Sequence, residues 1–191
     1  MDQSHLDHLP EHFHSVQFYK DPDALCRIVG AFIGEGLRQG NPALVVATPA
    51  HKERIDASLQ ERGLDVSTLK HDGQLTVLDA ADTLSLFMVE GMPNAGAFRW
   101  NVGEIMRQIS KEHGGRPLRA YGEMVDVLWR DGQEAAAIRL ETLWNQLADS
   151  HEFKLLCGYS MGHFYKRAAL EKIKAQHSHL TSDTGTHAAI Q

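Results

Sequence analysis

In the stretch RAYGEMVDVLW, Arg119 to Trp129, a carboxylate, Glu123, stands at the joint between two apolar runs. The first run reads as a strand and the second as a helix, so Glu123 sits at the rim of a core, where an unpaired charge is costly. Either a neighbour pairs it or a ligand does. Other hydrogen-bonding side chains stand at corresponding joints: Tyr19 and Asp21, Thr48 and His51, Asp79 and Asp82, Tyr159 and Ser160. Such a set suits a pocket for a small ligand. Each member also has an ordinary reading. Asp21 and Asp82 are good helix caps, Thr48 ends a strand, and His51 lies in a first helical turn facing water. Tyr19 and Tyr159 pack with their hydroxyls at a rim. A carboxylate at Glu123 is favoured by the helix dipole, by about 0.3–1 kcal/mol.

Two nucleotide motifs are missing. A P-loop needs G-x-x-x-x-G-K-[ST] after the first strand, because amides and a lysine cradle the phosphates. The first turn here reads FYKDPDALC, without glycine and with two acids. No G-x-G-x-x-G follows a strand either, so a dinucleotide site is unsupported. GYSMG, Gly158 to Gly162, does match G-x-S-x-G. A nucleophile at Ser160 needs an acid and then a histidine later in the chain. Only a last helix and a polar tail follow, with His163, His177, His179 and His187 as candidate bases. A serine hydrolase at Ser160, or a residual nucleotide hydrolase using Glu123 and Asp79, is the enzymatic alternative to a binding role. His5, His8, His12 and His14 could ligate a transition metal, but the segment reads as a solvated tail, from which His14 is separable because it starts the first strand, and no metal is expected.

These side chains are positioned by alternating strands and helices. HSVQFY (14–19) has strand composition. The following run opens with Asp21 as N-cap and Pro22 at the first helical position, carries Leu25, Ile28, Val29, Phe32, Ile33 and Leu37 at helical spacing, and stops at Gly40. PALVVAT (42–48) and QLTVLDA (74–80) read as further strands, each followed by a helix, the second helix being ADTLSLFMVEG. The pattern predicts one long helix over 97–115, a strand in RPLRAYGEM, and a helix from Gln133 to Asp149 with Ala137, Leu140, Trp144 and Leu147 on its buried stripe. A strand at 153–160 and a terminal helix from about Tyr165 complete the series. The alternation predicts a three-layer α/β domain with a mainly parallel sheet, whose ligands bind beyond the carboxyl ends of its strands. One domain is expected over 13–171, between flexible tails at 1–12 and 172–191.

The 191 residues are 42% hydrophobic, enough for one substantial core. A formal charge of −6 disfavours direct nucleic-acid binding. Cys26 and Cys157 sit in apolar sequence and read as reduced core residues. With no membrane span and no leader pattern, a cytoplasmic protein is expected.

HSVQFYKDPDAL, GLRQGNPALVVATPAH, YGEMVDVLW, and LETLWNQL followed by LLCGY together resemble the MEDS domain, a sensory domain named for methanogens, methylotrophs and a dichloromethane-responsive repressor. The resemblance covers roughly Phe13 to Phe164. It implies a RecA-like, KaiC-like core that has lost its phosphate loop and serves as a non-enzymatic sensor of small organic compounds. His14, Tyr19, His51 and Glu123 fall on the family's motif positions, which adds His14 to the ligand-binding candidates. No cofactor is named by these residues. Family members stand beside histidine kinase, response-regulator or DNA-binding modules, none of which is recognisable in this sequence. The implied partner is a separate signalling protein such as a histidine kinase or regulator, with self-association as a further possibility.

Overall fold

The computed structural model describes residues 13–163, 167–181 and 187–189. Strand β1 (Phe13–Tyr19) hands over to α1 (Pro22–Arg38) through Asp21, whose side chain accepts from the Asp23 amide. Past the helix end, Gly40 takes a φ of +77°, a conformation that side-chain-bearing residues rarely adopt. The cap, the proline and the stop all lie where the sequence places them. Strand β2 (Ala43–Ala47) and α2 (Pro49–Glu61) form the next unit. An unforeseen short helix, α3 (Val66–His71), follows because Asp65 caps the Thr68 amide.

Strand β3 (Leu75–Asp79) leads into α4 (Ala80–Ser85), with Asp79 as cap. The helix expected to run through FMVEG stops early. Glu90 and Gly91 both adopt positive φ, and the chain forms a hairpin of β4 (Met88–Val89) and β5 (Met92–Pro93) instead. The single helix expected over 97–115 is divided into α5 (Ala95–Phe98), a π turn (Arg99–Gly103) and α6 (Glu104–Glu112). Strand β6 (Leu118–Gly122) then runs into α7 (Met124–Arg130), and α8 (Glu134–Ala148) leads to β7 (Phe153–Ser160).

A 3₁₀ turn (Met161–His163), α9 (Arg167–Lys174), β8 (His179–Thr181) and β9 (His187–Ala189) complete the described elements. The expectation of a flexible end from 172 is therefore corrected over 172–181. Residues Ser15 to Gln17 of β1 pair in parallel with His179 to Thr181, and the Ser15 and Thr181 hydroxyls meet at 2.6 Å. The signal was weak because β8 is only three residues long and its partner is remote in sequence.

The main sheet has the order β3-β2-β6-β7-β1-β8-β9 and is parallel throughout except at β9. Apolar cores lie on both faces, one built with Phe32, Ile33 and Leu59 of α1 and α2, the other with Leu128, Leu140 and Trp144 of α7 and α8. This is the expected three-layer α/β architecture. It brings the carboxyl ends of β2, β6, β7 and β1 to one edge.

Candidate functional site

Glu123 is 2% exposed and held by neighbours on three sides. One carboxylate oxygen accepts from the Thr48 amide. The other meets His51 Nδ1 at 2.5 Å and accepts from the Tyr121 hydroxyl at 3.0 Å. Burial pushes the carboxyl upward, but His51 and Thr48, through its hydroxyl and its amide, outweigh it, and the net direction is down. Local partners thus pair the acid in YGEM. Thr48 contributes its amide and its hydroxyl to Glu123, and the side chain makes no capping bond to the helix.

Tyr19 packs edge-on against His51, with ring centroids 5.9 Å apart, and its hydroxyl donates to Asp126 Oδ2 at 3.2 Å. Asp126 also accepts from the Ser160 amide at 2.9 Å and pairs with Arg130 at 3.4 Å. Burial raises the Asp126 carboxyl despite these contacts. The network therefore ties α7 to the ends of β1, β2 and β7. Asp126 was missed, although a lone acid inside MVDVLW was its signal. Ser160 joins through its amide.

Two other candidates do local work beside this network. Asp21 caps α1, and Asp79 caps α4 while accepting from Lys52 at 3.0 Å. Beside Asp21 opens a cleft of about 390 Å³, whose lining includes Gln17, Phe18, Tyr19, Asp21, Leu25 and Met161. Gln17 is 1% exposed, and its side-chain oxygen has no hydrogen-bond partner among the described residues.

His14 and Tyr159 lie elsewhere, on the sheet face covered by α8. Both reach Glu141, a fully buried acid: Tyr159 donates to Oε1 at 2.8 Å, and His14 Nε2 stands 3.2 Å from Oε2. His177 Nε2 lies 3.4 Å from Oε1, and Cys157 Sγ lies 3.3 Å from His14 Nε2. Cys26 is simple packing, as expected, whereas Cys157 belongs to this polar cluster. Glu141 was missed, and His177 was named only as a candidate base for Ser160. Glu141 interrupts the stripe Ala137, Leu140, Trp144, and that intrusion was the available signal. His5, His8 and His12 lie outside the described residues.

The parallel sheet and its two helical layers make an α/β fold that is similar to that of KaiC-like structures. A KaiC-like protein, PH0186, from Pyrococcus horikoshii OT3 superposes with a TM-score of 0.61 at 11% identity, covering 90% of this chain and 71% of that one. An uncharacterized Pyrococcus horikoshii protein, PH0321, solved with an unknown peptide, gives 0.66 at 12% identity, covering 93% and 80%. Residues 13–177 match the family model described as the methanogen/methylotroph, DcmR sensory domain, and the chain belongs to this MEDS family. No curated protein matches the sequence. Among the described residues, no helix is long and apolar enough to cross a membrane.

Proposed function

We propose that the chain is a non-enzymatic sensor that binds a small organic molecule in the cleft beside β1 and regulates a separate signalling protein, such as a histidine kinase or transcriptional regulator. The observation that carries this reading is the buried oxygen of Gln17, without a hydrogen-bond partner among the described residues, set in otherwise mostly apolar cleft walls. Leaving such an acceptor unsatisfied costs about 1–3 kcal/mol, which a ligand with one O–H or N–H donor and a small apolar body offsets. Tyr19 and Asp21 line the same cleft. Thr48, His51 and Glu123 act behind it, because the Tyr19 ring rests on His51. Asp79 is a cap in this reading, and His14 and Tyr159 belong to the α8 cluster.

Membership of a sensory-domain family supports the role. The test is a thermal-shift panel of small alcohols, amines and halogenated hydrocarbons on the purified chain, with native mass spectrometry of the protein from its own host. At least one compound should raise Tm, as binding to the folded state alone requires, and Gln17→Met should abolish the rise. A panel without any shift, together with a bare native mass, rejects the sensor reading.

A second reading, a scaffold that binds only protein, draws on one observation. Leu86, Val89, Met92 and Trp100 are exposed on the β4–β5 hairpin and the π turn, Trp100 at 76%. The same patch serves the partner in the sensor reading, or a second copy of the chain. Sedimentation of wild type and Trp100→Ser tests self-association, which the substitution should weaken.

A further inference from the structure

We propose that His14, Glu141, Cys157 and His177 form a binding site for a single divalent transition metal of the zinc class. The side chains converge from β1, α8, β7 and the turn between α9 and β8, and their ligand atoms all lie within 4.8 Å of one another. Two imidazole nitrogens, a thiol sulfur and a carboxylate oxygen make up a donor set that zinc accepts in tetrahedral form.

The spacing fits. Zinc–ligand bonds of about 2.0–2.3 Å place tetrahedral donors about 3.3–3.7 Å from one another. His14 Nε2 stands 3.2 Å from Glu141 Oε2 and 3.3 Å from Cys157 Sγ, and Cys157 Sγ stands 3.6 Å from the same Glu141 oxygen. His177 Nε2 is 3.4 Å from the other Glu141 oxygen.

The outer contacts orient both imidazoles as ligands. Asn145 Nδ2 donates to the Gln176 carbonyl at 2.9 Å, which turns Asn145 Oδ1 toward His14 Nδ1 at 2.8 Å. The His177 Nδ1–H donates to the Ile173 carbonyl at 2.8 Å. With both Nδ1 atoms serving as donors, a ring without a second proton presents its Nε2 lone pair to a carboxylate. Two acceptors then face each other in a largely buried site, and His177 Nε2 has no hydrogen-bond partner among the described residues. A cation resolves that opposition. Carbonyl acceptors behind metal-binding histidines are the usual arrangement for fixing the tautomer.

Metal binding releases the Cys157 thiol proton to solvent and leaves a thiolate ligand. Because His177 precedes β8, the ion ties the C-terminal segment to β1, β7 and α8. This site lies on a different face from the cleft of the sensor reading and does not depend on it.

The experiment uses the untagged full chain, stripped with chelator, dialysed, and titrated with Co²⁺ and then Zn²⁺. One equivalent of Co²⁺ should produce a near-ultraviolet thiolate-to-cobalt band, which Zn²⁺ removes by displacement. Cys157→Ser should abolish the band and weaken affinity at least about tenfold, whereas Cys26→Ser should keep both. His177→Gln should weaken affinity similarly, and it carries the test if circular dichroism shows that Cys157→Ser is unfolded. A wild-type titration without the thiolate band overturns the site, and so does a band that persists in folded Cys157→Ser. Unchanged affinity in folded His177→Gln overturns it as well.

Discussion

Glu123 shows how one buried acid can be satisfied without a ligand. It accepts from a backbone amide, an imidazole and a phenol, all within one turn of the β2 and β6 ends. Glu123→Gln turns one acceptor into a donor facing donors, so it should cost about 1–3 kcal/mol in urea denaturation at pH 7. Thr48→Ala should cost about 0.5–1.5 kcal/mol, because the Thr48 hydroxyl supports the Glu123 carboxylate beside the amide. The pH dependence has a definite sign. The folded carboxyl is held below its usual value, so the folded state binds the proton less tightly than the unfolded chain. The stability that Glu123 supplies is complete above the unfolded value of about 4.3 and is lost as pH falls through the lower folded value. The gap between wild type and Glu123→Gln should therefore narrow below about pH 4. A gap constant from pH 7 to pH 3 would refute this account.

At the level of elements, the register between β6 and β7 matters as much as any side chain. Gly158 has no side chain because Tyr121 crosses it: an added Cβ would stand 2.7 Å from the Tyr121 hydroxyl. That crossing aims the phenol at Glu123. Gly158→Ala should cost about 1–3 kcal/mol by overpacking. Combined with Tyr121→Phe it should cost less than the sum of the single changes, because both disturb one hydroxyl. Strict additivity in that double-mutant cycle would separate the glycine from the network. GYSMG, read as a candidate nucleophile turn, thus owes its first glycine to packing. Helix α8 makes a related point: its stripe predicted the burial of Ala137, Leu140, Trp144 and Leu147, and Glu141 shares that stripe at 0% exposure.

Across the whole molecule, the chain's last described segments close the edge of β1. Ser178 accepts from the His14 amide and donates its hydroxyl to the His14 carbonyl, and β8 continues the ladder. A chain ending at Gln176 uncovers that edge, and exposed strand edges invite pairing with other chains. It should lower stability by at least about 2 kcal/mol and increase light scattering on warming. Unchanged melting and scattering would show that β8 contributes nothing.

Local rules carried the reading of the units. Asp21 and Pro22 start α1, Gly40 follows its end, and the alternation of apolar runs required a parallel sheet between helical layers. Those features depend on neighbours in sequence, and so do the places of Tyr19, Thr48, His51 and Glu123 at or just after strand ends. What only the tertiary structure decided was pairing across long separations. His14 and Tyr159 depart from that edge to meet Glu141, because strand alternation turns them toward α8. His177 joins them from 163 residues beyond His14, a distance over which no local pattern carries information. The hairpin at Glu90 and Gly91 was decided by backbone conformation, which an apolar count across FMVEG does not contain.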